Sequence, residues 1–75
     1  MEIFVKLFSN FALYHFPSRF RLEIGEQMSP LNILRKLGIP EDLPRLTMIN
    51  GQVVTDQTIL KDGDTLSFFS PVAGG

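Results

Sequence analysis

The sequence predicts an α+β fold two layers deep, in which one amphipathic helix covers one face of a mixed sheet of four to five strands. Three observations lead there: period-2 apolar alternation near both ends of the chain, one helical segment with start and stop signals in the middle, and an Asn-Gly turn between two short apolar runs. Seventy-five residues, 44% of them apolar, allow a single domain. A chain of this size buries about 60% of the surface its unfolded form exposes.

At the start, Ile3, Val5 and Leu7 alternate with Phe4, Lys6 and Phe8, so the odd positions are expected to face the core. From Arg19, the apolar Phe20, Leu22 and Ile24 alternate with Arg19, Arg21 and Glu23, and Gly25 ends the strand. The connection between these strands, Ser9 to Ser18, is too long for a tight hairpin and unusually apolar; a short helical turn capped by Ser9 or Asn10 fits its start. Ser29-Pro30 opens a helix, because serine caps free N–H groups and proline at the first helical position loses no hydrogen bond. Leu31, Ile33, Leu34 and Leu37 form its buried stripe. Gly38 suits a left-handed stop, Ile39 folds back on the last turn, and Pro40 prevents continuation. Pro40 to Pro44 reads as a loop, and Leu46 to Ile49 and Gln52 to Val54 read as strands around the type I′ turn Asn50-Gly51. Thr55 to Lys61 is irregular with Ile59 and Leu60 as core plugs, Asp62-Gly63-Asp64 turns, and Thr65 to Phe69 is the last strand. Two hairpin-like units flanking one helix give the β-grasp arrangement. In it the last strand lies parallel to the first, so the aromatic connection and the C-terminus emerge at the same end. The domain is read as residues 1–69, followed by a tail, 70–75.

Composition narrows the chemistry. A net charge of −1 supplies no basic field for gripping nucleic acid. No apolar run approaches the length of a membrane span, and the N-terminus lacks a signal peptide's pattern, so the expectation is a soluble, cytoplasmic protein. The absence of cysteine removes thiolate nucleophiles and cysteine zinc sites, and the single histidine, His15, has no partner for a metal site or a triad. No bound cofactor, metal site or active centre of its own is expected. His15 reads as structural or incidental, Asp62 and Asp64 as turn formers, and Arg19 and Arg21 as solvated cations or attractors of an acidic partner.

The chain ends Phe68-Phe69-Ser70-Pro71-Val72-Ala73-Gly74-Gly75. Together with Ile49-Asn50-Gly51 and Leu60-Lys61-Asp62-Gly63-Asp64, this ending resembles the MoaD/ThiS family of ubiquitin-like sulfur carriers, and among them the small subunit of molybdopterin synthase. Members of that branch often finish in Phe-Phe-Pro-Pro-Val, a small residue and Gly-Gly, from which only Ser70 departs. The long Ser9 to Ser18 connection leans the same way, since thiamine-pathway carriers commonly have a tight first hairpin. The resemblance implies that the Gly75 carboxylate is adenylated with ATP on a ubiquitin-activating-type adenylyltransferase. A persulfide donor then leaves a thiocarboxylate, and the arm inserts into the large subunit of molybdopterin synthase. Gly74 and Gly75 suit such an arm because, without Cβ, they pass through a narrow channel. The same ending also fits a carrier for thiamine thiazole synthesis or a modifier joined to protein lysines.

Strand parity puts Phe4 and Phe8 on the face opposite the helix, with Phe69, as three exposed rings in one patch. The resemblance matches Phe8 and Phe69 to contacts with the large subunit; Phe4, which shares their patch, and the tail residues Pro71, Val72 and Ala73 complete the expected partner-binding set. For Phe11, Tyr14 and Phe16 two readings stand: they frame the arm or touch the activating enzyme, or they close the end of the core.

Overall fold

The computed structural model describes residues 1–71. Its elements are β1 (Glu2–Leu7), a 3-10 turn (Ser9–Leu13), β2 (Arg19–Glu23), α1 (Pro30–Leu37), β3 (Leu46–Ile49), β4 (Gln52–Val53) and β5 (Thr65–Phe69). The strands form one sheet in the order β2-β1-β5-β3-β4. β1 and β5 are parallel at its centre, with Val5 opposite Leu66 and Leu7 opposite Phe68, while β2 and β3 run antiparallel to them. This is the β-grasp topology.

Alternation is obeyed in β1 and β5. Ile3, Val5, Leu7, Leu66 and Phe68 are all buried on the helix side of the sheet. Phe20 and Leu22 pack on that core from the edge strand and stay half-buried. An eight-residue helix is unstable alone in water, so α1 depends on Ile33 and Leu34, both fully buried. Each such side chain contributes about 1.5–3 kcal/mol. Leu31 and Leu37 flank them, half-buried.

Both helix ends follow their local chemistry. The Ser29 hydroxyl accepts the Asn32 N–H, and the Asn32 side-chain Oδ1 accepts the Ser29 N–H at 2.9 Å, a reciprocal capping box. At the other end Gly38 takes φ +73°, its N–H reaches the Arg35 carbonyl, and the Ile39 N–H reaches the Leu34 carbonyl. This paired closure satisfies carbonyls that would otherwise be free, and it carries Ile39 back into the core.

The Asn50-Gly51 turn has φ +52° and +83°, as type I′ requires. The Asn50 side chain adds a function not evident from its turn propensity: its oxygen accepts the Thr65 N–H at 2.8 Å and its amide donates to Asp64 at 2.9 Å. The hairpin is thereby fastened to the start of β5. The Asp62-Gly63-Asp64 turn is fastened to β1, since the Asp62 carboxylate accepts the Glu2 N–H and the Glu2 carbonyl accepts the Gly63 N–H, both at 2.8 Å.

Two expectations are corrected. Leu60 plugs the core but Ile59 stays 46% exposed; the Leu60 N–H is bound to the Met28 carbonyl, and with the chain extended there its neighbour turns the other way. The 3-10 turn is not capped by Ser9 or Asn10. Phe8 occupies the cap position with no side-chain cap bond, and Ser9 lies inside the turn at φ +55°.

Candidate functional site

Parallel pairing of β1 with β5 brings the C-terminal ends of these two strands together. The Phe8 N–H donates to the Phe68 carbonyl at 3.0 Å. Beyond it the Phe8 and Phe69 rings stack with centroids 4.3 Å apart and planes inclined by 3°. On the other side of Phe69, its register partner on β3 is Leu46, itself 38% exposed. The result is an apolar belt, Phe8-Phe69-Leu46, across three strands of the outer face. Phe4 shares that face two residues before Lys6.

The parity reading of Phe4, Phe8 and Phe69 therefore holds, with one correction: none is fully exposed. All three are half-buried, because Phe8 and Phe69 cover each other and cations lie over the rings. The Arg19 guanidinium stands 5.5 Å from the Phe8 centroid and the Lys6 ammonium 6.0 Å from that of Phe4. Such contacts contribute about 0.5–1 kcal/mol at exposed sites. Lys6 and Arg19 are cross-strand partners, so the belt is bordered by positive charge.

Sequence reasoning left Leu46 unassigned. The run Leu46-Thr47-Met48-Ile49 is apolar at three of four positions, so its parity is ambiguous. The structure resolves it by burying Thr47, 4% exposed, and turning Leu46 and Met48 outward. Thr47 is tolerated inside because its hydroxyl donates to Asp56 at 2.6 Å. Asp56 in turn takes Arg45 at 2.5 and 2.9 Å, and Arg45 also donates to the Glu41 and Leu43 carbonyls. This largely buried network ties the loop before β3 to the loop after β4.

The aromatic connection divides. Phe11 is buried, 5.9 Å from Phe68, and closes the end of the core. Tyr14 is 40% exposed, Leu13 84% and Phe16 96%. His15 stacks on Phe20 at 3.8 Å and its Nδ1 donates to the Pro17 carbonyl at 2.8 Å, a structural role.

Of the tail, Pro71 is exposed two residues beyond β5; Val72, Ala73, Gly74 and Gly75 lie outside the described residues. Among the described residues no three His, Asp or Glu side chains converge on a metal site, and no helix is long and apolar enough to cross a membrane. The described surface presents apolar side chains for contact at the end of β5.

Residues 9–75 match the ThiS family. The chain belongs to the ThiS family. Its members are ubiquitin-like sulfur carriers, and this ThiS-family chain shares their fold with several solved structures. The molybdopterin converting factor subunit 1 of Pyrococcus furiosus superposes with a TM-score of 0.78 at 22% identity, covering 96% of this chain and 99% of that one. Small archaeal modifier protein 1 of Haloferax volcanii gives 0.75 at 20%, covering 95% and 98%. Subunit 1 in the complex of subunits 1 and 2 of the Helicobacter pylori molybdopterin-converting factor gives 0.66 at 23%, covering both chains entirely. No curated protein matches the sequence.

Proposed function

We propose that this ThiS-family protein carries sulfur for molybdopterin synthesis, as the small subunit of a molybdopterin synthase, with its C-terminal Gly75 as the reacting residue. A carboxylate is a poor electrophile at neutral pH. On a ubiquitin-activating-type adenylyltransferase, the Gly75 carboxylate displaces pyrophosphate from ATP and becomes an acyl adenylate. A protein persulfide then displaces AMP, and cleavage of the resulting S–S bond by a thiol leaves the thiocarboxylate. The charged arm next docks on the large subunit, with the Phe8-Phe69-Leu46 belt and Phe4 against that protein and Pro71, Val72 and Ala73 leading Gly74 and Gly75 inward.

The observation that carries this reading is the Gly-Gly ending on a chain that leaves β5 directly beside the stacked Phe8 and Phe69. The absence of cysteine supports it, because no thiol of the chain competes for the activated acyl group. Pro71-Val72 and the long first connection favour molybdopterin over thiazole as the destination.

The test is the intact mass of the protein after incubation with ATP, the adenylyltransferase of the same genome and a persulfide source. Exchange of one oxygen for sulfur, located at Gly75, is the expected result, followed by loss of that sulfur on addition of the large subunit and the pterin precursor. Higher-mass conjugates on lysines would instead make the chain a protein modifier. Sulfur passed only to a thiazole synthase would place it in the thiamine pathway.

A further inference from the structure

Leu13 and Phe16 are the two most exposed large apolar side chains among the described residues, at 84% and 96%. They add nothing to the core. Yet the segment that carries them is held on both sides. In front, Phe11 is buried against Phe68 and its carbonyl accepts the Tyr14 N–H at 3.1 Å. Behind, His15 is stacked on Phe20 and bonded to the Pro17 carbonyl. The anchored rings of Phe11 and His15 thus flank Leu13, and the bond from His15 to the Pro17 carbonyl spans Phe16, an arrangement that presents both apolar side chains at little further entropic cost to a partner.

We infer that Leu13 and Phe16 form a second contact with the adenylating enzyme, inserting into an apolar pocket beside the channel that admits the C-terminus. This rests on the carrier reading above. The occupant follows from reach. Gly75 lies four residues beyond Pro71, so its carbonyl carbon extends at most about 14 Å past that residue. A catalyst bonding to that carbon must close on this end of the domain. The 3-10 turn begins at Ser9, next to the Phe8-Phe69 stack, and spans about 10 Å. Leu13 and Phe16, four and seven residues past the start of that turn, are thus presented on the segment that leaves the same end of the sheet as the tail. The enzyme acting on the free chain meets them first.

Pyrophosphate release by the adenylyltransferase, measured against carrier concentration, tests the assignment. The double variant Leu13→Ser/Phe16→Ser is expected to keep the wild-type melting temperature and kcat while its KM rises about ten- to a hundredfold. Leu13→Met/Phe16→Tyr is expected to restore most of the loss. Phe11→Ala, by contrast, should lower the melting temperature. An unchanged KM in the serine variant would overturn the contact and leave the carrier reading standing. A wild-type protein that releases no more pyrophosphate than one lacking Gly75 would overturn the carrier reading, and this contact with it. Concentration-dependent dimerisation, lost in the serine variant without any change in KM, would assign the surface to a second copy of the chain and reject the proposal.

Discussion

Phe8 and Phe69 lie face to face at 4.3 Å on the outer surface of the sheet, at neighbouring ends of two parallel strands. Neither ring is needed to fill the core, which Leu7 and Phe68 occupy from the opposite face. The pair holds a flat apolar surface at the point where the tail departs. Phe69→Asp is expected to abolish binding to the large subunit in calorimetry while far-UV circular dichroism stays that of the wild type. Undiminished binding would take this belt out of the docking surface.

Removal of Gly75 is expected to separate carrying from folding. In sequence the residue follows β5, the last element among the described residues, so the deletion is expected to leave the melting temperature within about a degree, as surface changes usually do. Conversion to the thiocarboxylate, followed by intact mass, should cease completely. Equal loss of stability and conversion would argue that the terminus is part of the folded domain.

Asp56 is expected to be the most costly polar residue to remove. It accepts from Arg45 twice and from the buried Thr47 hydroxyl. With Asp56→Ala, a largely buried guanidinium and hydroxyl lose their shared acceptor, at about 2–4 kcal/mol. Urea unfolding reads this as a lower midpoint with an unchanged slope. A loss under 0.5 kcal/mol would show that water replaces the carboxylate.

At Gly38 a Cβ meets nothing within 4 Å, so the cost of substitution lies in the backbone alone. Its φ of +73° is reached by alanine only at about 1–2 kcal/mol. Gly38→Ala should therefore destabilise by that amount in thermal unfolding, and Gly38→Asn by less, since asparagine tolerates this region better.

Glu41 gives the fold a small acid sensitivity. A two-pronged bond from Arg35, at 2.7 and 3.0 Å, joins the last turn of α1 to the following loop. That hydrogen bond, with the charges of Arg35 and Arg45, holds the Glu41 carboxyl below its ordinary value of 4.5. A depressed folded-state pKa means that the stabilisation is complete above the unfolded value and is lost as pH falls through the folded one. The pair is solvent-exposed, so its effect is modest. The melting temperatures of wild type and Glu41→Gln should differ slightly at neutral pH and converge in acid; a gap that widens in acid would reverse the sign argued here.

Where local chemistry had one outcome, the sequence was enough. Ser29-Pro30 and Gly38 bound the helix, Asn50-Gly51 makes the turn, and the alternation of β1 and β5 decides which residues are buried, because each is set within a few residues by sterics or by a period of two. The Gly-Gly ending and the family it points to were equally legible in the chain.

Other features exist only once strands meet. The stacking of Phe8 on Phe69, the joining of Leu46 to them, and the cover of Arg19 over Phe8 depend on β1 lying between β2 and β5 and on the register of β3. The burial of Thr47 required an acceptor nine residues away, Asp56, which no local pattern announces. The aromatic connection shows the division most plainly. Phe11 and Phe16 are the same side chain in the same apolar segment, one 1% exposed and the other 96%. Hydrophobicity makes both candidates for burial, but the core has room for one ring against Phe68, and tertiary packing alone decided which phenylalanine would fill it.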